Sequence, residues 1–107
     1  MIEITVERDA QGEISAFTVT GHAGFAPHGS DIVCAAVSVL TQTAVIAVNR
    51  LAAMEPAVQM SSGLITFRLP KGRAGPAKEK ADVILAAMLI GLKEVAASYP
   101  NRVKVKD

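Results

Sequence analysis

The apolar positions of this chain switch between two spacings, and each switch marks an element. Residues 2–7, IEITVE, alternate strictly, with Ile2, Ile4 and Val6 on one face. That period predicts a half-buried strand. DAQG (9–12) reads as a turn in which Gly12 takes a positive φ. EISAFTVT (13–20) predicts a second strand, hairpinned to the first. Its Ile14 and Phe17 fall out of phase, which a β-bulge would reconcile. Residues 21–30 hold three glycines and a proline and predict a loop. The spacing then predicts a helix over 31–54, with Ser30 or Asp31 as its N-cap and Pro56 as its stop. AVQMSSGLITFRLP (57–70) reads as a second hairpin around SSG, its later strand burying Ile65, Phe67 and Leu69 or the opposite set. KGRAGPAK (71–78) is a basic connector, with Pro76 placed to open a helix. A second helix over 77–98 sets Val83, Ile84, Ala87, Met88, Gly91, Leu92 and Val95 on one stripe. After Pro100, RVKVK (102–106) predicts a short edge strand whose lysines discourage further pairing. The order β-β-α-β-β-α-β implies an α+β fold: a mostly antiparallel sheet of about five strands, with two helices covering one face.

Composition narrows the function. The 107 residues suit one domain, and half of them are hydrophobic. Few are aromatic, so the core is expected to be aliphatic. MIEITVERD has no apolar leader segment. The apolar stretch 32–54 is interrupted by Ser38, Thr41, Gln42, Thr43, Asn49 and Arg50, which argues against a membrane span. One cysteine forms no internal disulfide and excludes multi-cysteine zinc sites, so a reducing cytosol is expected. Charge is uneven. Residues 1–67 carry two bases against six acids, and residues 68–107 carry nine against four. A basic half suggests an acidic partner or RNA, with Arg68, Lys71 and Arg73 as contacts. The simpler reading is solvated lysines, since no aromatic interleaving accompanies them.

The chemistry concentrates in GHAGFAPHGSDIVCAAVS (21–38). On a wheel of about 100° per residue, Cys34 shares a stripe with Asp31, Ser38, Thr41, Gln42, Val45 and Asn49. Most of the rest of the helix is Ala, Val, Ile and Leu, which predicts burial on most sides. Cys34 stands in the first turn, where unpaired N–H groups and the helix dipole favour an anion. His22, at the end of the second strand, begins a loop that returns to this helix. A Cys–His nucleophile is therefore available. A buried, inert cysteine is the competing structural reading. Asp31 has two candidate roles: an acid that orients His22, or an N-cap accepting amide hydrogens of the first turn. His28 reads as a polar loop residue. A zinc site from His22, His28, Asp31 and Cys34 follows no standard ligand spacing.

The motifs GHA (21–23) and GSDIVCAAVS (29–38), within this element order, resemble the Prp family of ribosomal-processing cysteine proteases. The resemblance covers essentially the whole chain and implies one protease-like domain over 1–107. It implies removal of a short N-terminal extension from a large-subunit ribosomal protein. It maps the nucleophile to Cys34, the general base to His22, the motif aspartate to Asp31 and the motif serine to Ser38. It implies a mobile loop that orders over the substrate, to which Gly21, Ala23, Gly24 and Gly29 would belong. It further implies a homodimer with no cofactor and no metal. The residues themselves leave open whether Ser38 meets the loop, the substrate or only a helix carbonyl. They also suggest that an oxyanion could be held by free amides at the helix N-terminus.

Overall fold

A computed structural model describes residues 1–107. Five strands and two helices follow in order: β1 (Ile2–Arg8), β2 (Ile14–Thr20), α1 (Ile32–Ala52), β3 (Ala57–Ser61), β4 (Leu64–Arg68), α2 (Pro76–Ser98) and β5 (Val103–Lys106). The strands form one sheet in the order β3-β4-β2-β1-β5. All neighbours are antiparallel except β1 and β5, which run parallel. The element order and fold class read from the sequence are the ones observed.

Strand phase follows from the apolar alternation. Ile2 and Ile4 of β1 and Ile65 and Phe67 of β4 point to the helices and are buried, with Leu69 just beyond β4. In β2 the register steps from Glu7 opposite Ala16 to Arg8 opposite Ile14, so Ser15 is an extra residue. This bulge returns Ile14 to the core and resolves its phase conflict with Phe17. Phe17 lies opposite Phe67 across the β2–β4 pair, and their rings stack at 4.8 Å. On the outer face the β2–β4 and β1–β2 pairs bring Thr5, Thr18 and Thr66 side by side, as a one-sided antiparallel sheet requires.

The helices depart from the sequence reading in which faces they bury. Val33, Val37, Thr41, Ala44, Val48 and Ala52 of α1 pack inward. Ile32, Val39, Ile46 and Leu51 are exposed, so α1 is buried on one side rather than most. In α2 the core face is Ala81, Leu85, Met88, Leu89 and Leu92. Met88 and Leu92 of the expected stripe are buried and Ile84 and Val95 pack against the core, but Val83 stands 70% exposed, so the buried face is turned toward Ala81, Leu85 and Leu89. Outside its polar stripe α1 is mostly apolar, and α2 is apolar all round between Val83 and Leu92. Periodicity cannot choose between faces that are equally apolar. Gly91 admits Leu40 against the α2 backbone: a Cβ there would lie 2.7 Å from a Leu40 methyl. By length and composition alone α1 would suffice to cross a bilayer, despite its polar interruptions. In this fold its inward face is instead part of the core shared with the sheet and α2.

Candidate active site

The β2–α1 loop turns back across the N-terminus of α1 because Gly21 leaves the strand with φ 89°. A Cβ at Gly21 would lie 2.2 Å from the Met1 carbonyl oxygen, so only glycine lets the loop pass β1 this closely. The loop is then tied down from several sides. The Met1 amino nitrogen donates to the His22 carbonyl at 2.7 Å. The Gly21 amide donates to the Gly63 carbonyl at 2.9 Å. Arg102, just before β5, donates to the carbonyls of Ala23 and Gly24. Its guanidinium also lies 5.8 Å from the centre of the Phe25 ring, which meets Tyr99 edge-on at 5.6 Å.

Asp31 is the main anchor of the loop. One carboxylate oxygen accepts the amides of Val33 and Cys34 at 2.9 and 3.0 Å. The other accepts those of Phe25 and Ala26 at 2.9 and 3.2 Å. Burial works against ionisation of Asp31, but the amides of Cys34, Ala26, Phe25 and Val33 outweigh it and hold the carboxyl below the usual aspartate value. The orienting-acid alternative is therefore not the arrangement observed. Asp31 caps α1 and ties the loop to it, and no hydrogen bond links it to His22. The expectation of free first-turn amides changes as well, because those of Val33 and Cys34 are occupied.

Cys34 is half-buried. Its Sγ accepts the Ala23 amide at 3.4 Å. Beside it opens a cleft of about 620 Å³ bounded by the loop, α1 and the β3–β4 hairpin. His22, His28, Asp31, Cys34, Ser38 and Gln42 all line it, so the polar stripe of α1 down to Gln42 faces this cleft. Between Ser38 and Gln42, Thr41 is instead fully buried and bonds back to the Val37 carbonyl at 2.9 Å. The Ser38 hydroxyl makes no hydrogen bond to a helix carbonyl and opens to the cleft. The His22 ring does not hydrogen-bond Sγ. It packs against the hairpin turn, where a Cβ on Gly63 would lie 2.8 Å from Nε2. The His28 ring meets it edge-on at 6.2 Å. His28 thus sits on the cleft, closer to the chemistry than a plain loop residue. No group of three His, Cys, Asp or Glu side chains converges as a metal ion would require.

Two contributions escaped the sequence. The hairpin tip, Ser61 to Leu64, forms one wall of the cleft. SSG announced a turn but not what the turn packs against. Arg102 gave no signal at all, because its role depends on the α2–β5 turn meeting the β2–α1 loop. Four of the nine bases in residues 68–107 are paired with acids. Arg68 pairs with Glu7, Lys78 with Asp9 and Asp82, Lys93 with Asp107 and Lys106 with Glu3. Of the three candidate RNA contacts, Arg68 is thus engaged within the fold, while Lys71 and Arg73 are exposed.

Comparison with known proteins gives this geometry its context. The family model described as Cysteine protease Prp matches residues 1–104. The ribosomal processing cysteine protease Prp of Bacillus subtilis is 35% identical over 107 residues, covering 98% of this chain and 96% of its own. A Streptococcus mutans crystal structure is similar with TM-score 0.85 and 34% identity, covering 99% of this chain and 92% of that one. The fold also matches Prp from Staphylococcus aureus, an essential ribosomal processing protease in complex with a covalently linked product peptide. That match has TM-score 0.89 and 24% identity over 99% of this chain and 98% of the other. With a whole-length family match and a relative at this identity, the chain belongs to the Prp family of ribosomal-processing cysteine proteases.

Proposed function

We propose that Cys34 is the nucleophile and His22 the general base of an endopeptidase that removes a short N-terminal extension from a large-subunit ribosomal protein in the cytoplasm. The observation that carries this reading is the half-buried Cys34 thiol on a 620 Å³ cleft that His22 also lines. The cleft has one apolar side, with Ile2, Val19, Met60, Leu64 and Ile65, suited to an apolar peptide. The edge strand β3 borders it, and its free backbone groups offer an extended substrate a strand to pair with. Catalytic hydrogen bonds often tighten only around substrate. In this reading, His22 keeps its seat against Gly63 while its ring turns toward Cys34 as the peptide enters, and it takes the Cys34 proton. It later protonates the leaving amine. The bound peptides of the Staphylococcus aureus structures support a peptide substrate for this cleft. A homodimer goes with the same reading, supported by the exposed Val39, Ile46, Val83 and Ile90 on the outer side of the helix layer.

The test is cleavage of a peptide spanning the extension junction. Cys34→Ala and His22→Ala should each abolish it while circular dichroism stays unchanged. Undiminished cleavage by folded Cys34→Ala would end the proposal. Alkylation of Cys34 against pH is a second check. A catalytic thiol reacts with an apparent pKa below about 8.5, and a buried structural one barely reacts.

A further inference from the structure

We infer that the backbone amide of Ala23 is an oxyanion-binding group of this protease. The inference rests on the assignment of Cys34 as nucleophile. A thiolate that attacks a peptide carbonyl forms a C–S bond and pushes the carbonyl π pair onto oxygen. That anion needs a donor about 2.7–3.1 Å away, held in place before the reaction. The ready source in this fold is the first turn of α1, but Asp31 has taken the amides of Val33 and Cys34. The Ala35 amide already bonds the Asp31 carbonyl inside the helix. The nucleophile's own N–H is therefore not free.

The remaining amide aimed at the reacting atom is Ala23, whose N–H points at Sγ from 3.4 Å. The oxyanion is two bonds from Sγ once the C–S bond forms, so a donor at this distance reaches it with little backbone movement. Its peptide plane is pinned at both ends. The other end of the same unit, the His22 carbonyl, accepts from the Met1 nitrogen at 2.7 Å. The next peptide is held through the Ala23 carbonyl by Arg102. Ala23 itself is 3% exposed, so this amide is largely shielded from bulk water, where a hydrogen bond to an anion is strong. In the free enzyme it donates to the sulfur. In the tetrahedral intermediate it transfers to the new oxyanion. When C=O re-forms and the C–N bond breaks, the amine leaves with the proton from His22 and the amide is released. One rigid dipeptide, His22–Ala23, thus supplies the base from its side chain and the oxyanion donor from its backbone.

Cys34 is the only cysteine, so residues 1–33 and 34–107 can be ligated there to give the full chain with L-lactic acid at position 23. This ester removes the N–H and keeps the methyl group. The expected result, against an all-amide chain made the same way, is a loss of about 10²-fold in kcat. KM should change little. Affinity for a peptide aldehyde, which forms an oxyanion-like adduct on Cys34, should fall in parallel. Alkylation of Cys34 by iodoacetamide at high pH, which makes no oxyanion, should be nearly unchanged. Retained kcat with a shifted alkylation pH profile would overturn the inference, since the amide would then serve only the thiolate. A second measurement needs no variant. In ¹⁵N-labelled protein the aldehyde adduct should shift the Ala23 amide proton downfield and leave those of Val33 and Cys34 in place. A Cys34 shift without an Ala23 shift would overturn it equally. Cleavage by Cys34→Ala would instead remove the nucleophile assignment, a separate failure.

Discussion

Replacing Gly63 with alanine tests whether the hairpin turn positions His22. Two effects follow from the geometry. Gly63 has φ 74°, and an L-residue in the left-handed region costs roughly 1–2 kcal/mol. For a domain of this size that corresponds to a fall in Tm of about 4–8 °C per kcal/mol. Separately, the new methyl group would stand 2.8 Å from Nε2 and 3.4 Å from the adjacent ring carbons, so the imidazole must move by several tenths of an ångström. Displacing a catalytic group by 1 Å costs about 10²-fold, which puts the expected loss at about 10- to 10²-fold in kcat. KM should change less, because the apolar side of the cleft is untouched. Gly63→Asn separates the two effects. Asparagine tolerates the left-handed region but carries the same Cβ. It should recover most of the thermal stability and little of the activity. The assay is steady-state cleavage of a fluorogenic peptide spanning the processed junction, with a thermal melt of each variant. Full kcat in Gly63→Ala would refute the argument. So would recovery of activity in step with stability in Gly63→Asn, because backbone strain alone would then explain the loss.

Asp31→Asn should raise hydrogen exchange at the amides of Phe25, Ala26, Val33 and Cys34, and Arg102→Ala should loosen residues 23–25. Unchanged protection in both would refute the anchoring described above. The Arg8 guanidinium, with Lys93, holds the Asp107 carboxyl down to about 2 from 3.8. A depressed folded-state pKa stabilises above the unfolded value, so the melting difference between wild type and Asp107→Asn should be full near pH 7 and vanish as pH falls from about 4 to 2. Because Arg8 and Lys93 are themselves substantially exposed, salt should shrink that difference. Ile46→Asp combined with Ile90→Asp should yield a monomer by sedimentation, and an unchanged dimer would move the interface off the helix layer.

The sequence was most legible where one face of an element meets water. Ile2, Ile4 and Val6, and Ile65, Phe67 and Leu69, announce their strands because polar residues alternate with them. Even the Ser15 bulge leaves a trace, in the phase slip between Ile14 and Phe17. Legibility failed on the helices for the opposite reason. With Val83 and Ile90 on one side of α2 and Leu85 and Leu92 on another, an apolar stripe is not unique. Cys34 and His22 could be placed on one cleft in advance because the loop between them is short and must close on the helix. Gly63 and Arg102 could not, because each reaches the site through a contact between elements distant in sequence.

Asp31 carries the lesson furthest. Its position before the helix fits an orienting acid and a cap equally well, and only the bonding partners decide between them. Those partners are four amides, two from α1 and two from the loop. The positive end of α1 is thereby engaged inside the fold, and the sulfur receives its hydrogen bond from the loop amide of Ala23. The helix fixes where Cys34 stands. The loop, joined to the helix through Asp31, carries both His22 and the amide that donates to Cys34. A substitution that leaves α1 intact but frees the loop should therefore cost more activity than stability.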